Sequence, residues 1–168
     1  MIELALRAFL TLFVVVDPVG IAPVFLALAG GRPKPEQARI ARRAVVVGGG
    51  VLFFFALGGP WLLGKLGISM DAFRIAGGIP LIAGPGAMAS TMILVGQAGS
   101  DPRRLAAVFS MVAAVLALTW LALRLASPLG RVLRRTGVNV VTRVLGVLLA
   151  TLAVQYVADG IRGLLRAG

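Results

Sequence analysis

Among the side chains able to do chemistry, Asp17 stands in the least expected place. It lies at the centre of FLTLFVVVDPVGIAPVFLALAG, residues 9–30, an apolar run longer than a bilayer is thick, and Pro18, Val19 and Gly20 follow it. A mid-depth acid costs roughly 2.5 to 3.5 kcal/mol to insert, and a proline inside a helix costs about 3 kcal/mol. Both penalties fall on adjacent residues, which predicts a helix meant to break, with Asp17 as N-cap and Pro18 opening a second half-helix. A similar interruption, Gly84-Pro85-Gly86, divides IPLIAGPGAMASTMILVGQAG, residues 79–99. Half-helix ends facing each other at mid-membrane would offer amides and positive dipole ends to a carboxylate, while Asp17 could hold an ammonium group. The candidate substrate-binding set is Asp17, Pro18, Val19, Gly20, Gly84, Pro85, Gly86, Ala87, Ser90 and Thr91. A plainer reading stands beside it: Asp17 only caps its own helix, Ser90 and Thr91 bond their own backbone, and the small residues only pack.

Other chemistries are poorly served. There is no cysteine and no histidine, so thiolates, disulfides, haem ligation, the usual zinc sites and imidazole relays are missing, and no second mid-depth acid partners Asp17. Neither an enzyme nor a cofactor or metal is expected. The net charge of +11 could suggest nucleic acid, but the basic residues cluster between apolar spans without aromatic interleaving or a recognition motif, so no nucleic-acid partner is expected.

The elements that position these residues are spans. With 59% hydrophobic residues, 14% charged residues and a mean hydropathy of +0.98, the chain reads as an all-α, multi-pass membrane protein whose first partner is the lipid bilayer. The expected units are a first repeat over 1–78 (broken span 3–29, span 40–63, partial third span 66–78) and a second over 79–168 (broken span 79–98, span 104–126, span 138–163), in one membrane domain. A shift of 67 positions sets Pro18 on Pro85, Asp17 on Gly84 and Pro35 on Pro102. With a shift of 69 to 70, Gly67-Ile68-Ser69 meets Gly137-Val138-Asn139, and the segment beginning at Phe73 meets that beginning at Thr142. Two inverted three-helix repeats follow, each with a discontinuous first helix. The first lacks most of its third helix, since only Ile75 to Gly78 follow Arg74 before the next unit. The positive-inside rule places basic loops 30–43 and 127–137 in the cytoplasm and both termini outside, provided the lost span is restored between Gly78 and Ile79. Of the remaining polar residues, Asp71 and Arg74 are spaced to pair, Gln155 and Tyr156 suit interhelical contact, and Asn139 suits a helix end.

The segments FVVVDPVGIAPVFLALA, DAFRIAGG and IPLIAGPGAMAST resemble the hallmark segments of the MarC (UPF0056-type) family, also described as a neutral amino acid transporter family, over nearly the whole chain. The resemblance implies a six-span inner-membrane protein of two inverted three-span repeats, with Asp17, Pro18, Gly20, Gly84, Pro85 and Gly86 on its two discontinuous-helix motifs. It also implies a small neutral amino acid, such as glycine or alanine, as substrate, with a coupling ion as a possible second ligand. The chain departs from the family pattern after FRIAGG, where relatives continue with a full helix and a polar loop. Two other readings stay open: an ion- or proton-conducting protein in which Asp17 titrates, and a membrane protein without transport activity.

Overall fold

A computed structural model describes residues 2–73, 75–76 and 86–167, with the side chains of all of these except 129–136, 138 and 167. Every regular element among them is helical: α1 (Ile2–Val16), α2 (Pro18–Ala29), α3 (Lys34–Lys65), α4 (Gly86–Ala98), α5 (Pro102–Arg124) and α6 (Ala126–Ala167). Four stretches among the described residues are long and apolar enough to cross a bilayer: Ile2–Ala29, Lys34–Lys65, Pro102–Arg124 and Asn139–Arg166. The chain is therefore an all-α, multi-pass membrane protein.

Local signals set the helix starts. Asp101 Oδ1 accepts from the Arg103 amide at 2.9 Å, and Pro102 opens α5. Pro35 and Glu36 lie in the first turn of α3, where a missing amide costs nothing and an acid suits the dipole. Two boundaries differ from expectation. The basic stretch 30–43 is a loop only as far as Pro33, because α3 already begins at Lys34. The segment 127–137, expected as a loop, is helical backbone continuous with the last span. Arginine and leucine propagate a helix well, and Pro128 lies in the first turn of α6, where its ring is tolerated.

Packing fixes the directions of the helices. Glu3, Leu4 and Arg7 of α1, Gln97 of α4 and Arg104 of α5 line one cavity, so the start of α1, the end of α4 and the start of α5 share one rim. At the opposite rim Ala29, Ala41, Leu123 and Ala126 form one apolar cluster, which joins the end of α2, the first part of α3, the end of α5 and the start of α6. The first span thus runs from the first rim to the second, α3 returns, α5 crosses again and α6 returns. α4 runs antiparallel to α1. Pairings are reciprocal: α1 lies along α5, and α4 lies along α3.

Close approach depends on glycine in a few places. A Cβ at Gly160 of α6 would stand 2.6 Å from the Asp71 carbonyl oxygen and 3.0 Å from the Ile75 amide nitrogen, so the segment around 70–76 lies against the α6 backbone. In the Gly48-Gly49-Gly50 run only Gly49 serves a contact, with Leu116 of α5; the other two face open space. Gly160→Ala is expected to lower stability by about 1 to 3 kcal/mol, because backbone atoms cannot yield as a side chain can. Gly48→Ala is expected to leave stability unchanged or raise it by up to about 1 kcal/mol. Thermal unfolding of the two variants in detergent measures the contrast.

Candidate functional site

The first break occupies one residue. Asp17 has φ 48° and ψ 66°, a left-handed conformation, and is the only described non-glycine residue with positive φ. Pro18 disfavours the right-handed helical conformation at the residue before it, and aspartate is among the few residues that tolerate the left-handed one. The Asp17 amide still donates to Phe13 O at 3.0 Å, its carbonyl accepts from Ile21 N at 3.1 Å, and its Oδ1 accepts from Gly20 N at 2.8 Å. The expected N-cap is thus in place, although the break is a swivel rather than an unwound stretch. Glycine is required at position 20, because a Cβ there would collide with the Asp17 carboxylate folded over that amide.

Val19 is what this turn leaves over. Pro18 has no amide, and Asp17 takes those of Gly20 and Ile21, so Val19 N–H is the amide of the first turn left for another acceptor among the described residues. Pro23 cannot supply the N–H that Val19 O would accept one turn on. Reading the sequence missed this second effect, although the spacing of Pro18 and Pro23 carries it. Asp17, Val19 and Gly20 are half-buried, and Pro18 is buried.

Gly84 and Pro85, central to the second expected break, lie outside the described residues, as does Arg74 of the expected Asp71–Arg74 pair. Gly86 is buried, Ala87 half-buried, and Ser90 and Thr91 fully enclosed. Thr91 Oγ1 donates to Ala87 O at 2.7 Å, which satisfies it within its own helix. Ser90 Oγ is enclosed with no hydrogen-bond partner. Further along, Gln155 Nε2 donates to Asp159 Oδ1 at 2.9 Å, Tyr156 is buried beside Ile93 and Ala153, and Asn139 is exposed.

A cavity of about 390 Å³ lies beside the Asp17 turn, and of the expected binding residues only Ala87 lines it. Val15, Val16 and Ile21, which flank Asp17, form one wall, and Ala87 and Met88 from the first turn of α4 form another. Residues of α3 and α5 complete it, Gly48 and Thr119 among them, neither expected at the site from the sequence. Thr119 Oγ1 donates to Val115 O at 2.8 Å, so the lining is almost wholly apolar. Such a space disfavours a bare ion.

A profile of MarC family integral membrane proteins matches residues 2–79 and again 78–165. The chain belongs to the MarC family. Among its relatives, UPF0056 membrane protein MJ1677 of Methanocaldococcus jannaschii is 30% identical, over 94% of this chain and 96% of the relative. YhcE of Escherichia coli is 31% identical (94% and 92%), and YvbG of Bacillus subtilis is 30% identical (98% and 97%). No solved structure matches. The alignment with MJ1677 runs over 197 positions, whereas this chain has 168 residues, so at least 29 positions of the relative face no residue here. The two profile matches meet at 78–79, the junction at which the missing helix was expected.

Asp17 substitutions separate cap from conformation. Asp17→Asn keeps an acceptor and tolerates positive φ, so its unfolding midpoint in detergent should lie close to wild type. Asp17→Ala loses both and should be destabilised by about 2 to 3 kcal/mol.

Proposed function

We propose that this MarC protein is a secondary transporter or exporter of small neutral amino acids, of the glycine or alanine kind, which bind at mid-membrane between the Asp17 turn and the start of α4. The observation that carries this reading is the cavity whose walls include the residues flanking Asp17 and the first turn of α4, a helix antiparallel to α1. Interrupted helices at corresponding places in two halves are where transporters build their sites. A zwitterion needs an acceptor for its ammonium group and donors for its carboxylate. Next to the cavity, though not among its lining residues, the Val19 amide is a donor, Asp17 adds a negative charge, and Ser90 holds an unused hydroxyl one turn into α4. The reciprocal pairing of α1 with α5 and α4 with α3, and the opposed directions of α1 and α4, support two inverted repeats. The concentration of basic residues at the rim of the α2–α3 loop supports an inner-membrane protein with that rim cytoplasmic and both termini outside.

The conducting alternative rests on Asp17 being the one acid at mid-depth, and one assay separates the two. Wild-type protein in proteoliposomes should take up labelled glycine or alanine, and Asp17→Asn should reduce uptake. Proton or ion flux that depends on Asp17 but is indifferent to both amino acids overturns the proposal. Ser90→Ala should lower uptake roughly tenfold, the effect of one lost hydrogen bond, while leaving stability unchanged or raising it by up to about 1 kcal/mol, since an orphaned buried hydroxyl is itself a cost.

A further inference from the structure

The second rim carries a cavity of about 750 Å³ that has no part in the proposed transport site. It lies where α2 ends, α3 begins, and α5 gives way to α6. Lys34 and Arg124 supply its charge, the Ser127 hydroxyl a further donor, and Leu123, Ala38 and Pro128 an apolar floor. Among the described residues neither cation has a carboxylate partner. The nearby Glu36 is held by Arg32, and Gln37 Nε2 is occupied with Gly30 O and Arg32 O, at 3.3 and 2.8 Å. The Arg124 guanidinium stands 5.0 Å from the Trp120 ring centroid, an arrangement that steers the charge to the cavity edge while its stem stays on apolar surface.

The surroundings deepen the charge. Over positions 30–43 and 124–135 the chain places nine Lys and Arg against one acid, Glu36. At the opposite rim Arg7, Lys65, Arg103, Arg104, Arg162 and Arg166 are offset by Glu3, Asp71, Asp101 and Asp159. Unpaired cations over an apolar floor at a membrane surface match a group that is anionic at one end and greasy at the other. We propose that this cavity binds a phosphate-bearing anion, the chemistry shared by the headgroup of an anionic phospholipid and by soluble phosphate.

The test uses the full chain in detergent micelles, with binding followed by native mass spectrometry and titration. The probes are short-chain phosphatidylglycerol, short-chain phosphatidylcholine and inorganic phosphate. Phosphatidylglycerol should bind and phosphatidylcholine should not. Lys34→Gln/Arg124→Gln should weaken phosphatidylglycerol roughly thirtyfold, whereas Arg103→Gln/Arg166→Gln, which removes the same charge at the other rim, should change it by less than about twofold. Displacement by inorganic phosphate at millimolar concentration assigns the site to soluble phosphate, and failure to displace assigns it to the lipid; either result supports the phosphate site. The proposal is overturned if phosphatidylcholine binds equally well, if the Lys34/Arg124 double variant keeps wild-type affinity, or if the control pair loses as much. Both target side chains are exposed, so the double variant should unfold at the wild-type temperature, which keeps loss of binding distinct from loss of fold.

Discussion

In hydrocarbon there is no water to take up a stray peptide group, so a helix can be interrupted only where the chain itself answers each freed donor and acceptor. Asp17 meets part of that demand with three bonds. One residue serves Phe13 O with its amide, Ile21 with its carbonyl and Gly20 with its side chain, so the first span changes course without unwinding. The sequence around it follows from this geometry. Pro18 turns residue 17 out of the right-handed helix, aspartate tolerates the conformation left to it, and glycine at 20 clears room for the carboxylate. What the turn leaves without its usual partner is the Val19 amide and the Val14, Val15 and Val16 carbonyls, whose donors one turn on would be Pro18, Val19 and Gly20.

The same constraint explains why α4 lies where it does. The 13 described residues of α4 rise only about 20 Å, too little to cross the bilayer, so its end lies at the first rim and its start lies at membrane depth. Helices of that kind survive at membrane depth when protein surrounds them, and residues 89–95 of α4 are all buried, between α1, α3 and α6. Lipid supplies no hydrophobic drive between helices, so the enclosure rests on close fit. Gly59 admits the Met92 side chain and Gly96 admits Met70, each removing the Cβ that would hold the neighbour off.

How much of this was legible in the sequence follows from how local each feature is. The caps at Asp17 and Asp101 and the long apolar spans depend on adjacent residues, and they read directly. The helicity of 127–137 did not read, because arginines and glycines in a row resemble a loop until the preceding helix is known to end at Arg124 and a new one to start at once. At the site, Asp17, Pro18 and Gly20 were visible because their costs are out of place in an apolar run. Gly48, Thr119 and Met88 carried no such mark; their place on the cavity wall depends on which helices cross there, a property of packing at long range. Ser90 and Thr91 look alike as sequence and are equally enclosed, and only the bond from Thr91 Oγ1 to Ala87 O separates the satisfied hydroxyl from the orphaned one.

The described residues before and after 77–85 fix the rims between which the chain runs. Met70 lies against Gly96 and Phe73 beside Ile93, so residues 70–76 descend alongside α4 in the opposite direction. The chain therefore enters from the rim that holds the start of α1, and α4 brings it back to that rim. In the six-span arrangement implied by the family resemblance, a complete third span would cross to the far rim and a complete broken span would return. At least 29 residues are enough for one span and a connection. Losing a single crossing would reverse α5 and α6 and place their basic ends on the wrong side. Losing the far part of that third span together with the outer half of the next would leave every helix downstream with its direction. The cavity beside Asp17 thus has walls from both sides of residues 77–85: α1, α2 and α3 before them, α4 and α5 after.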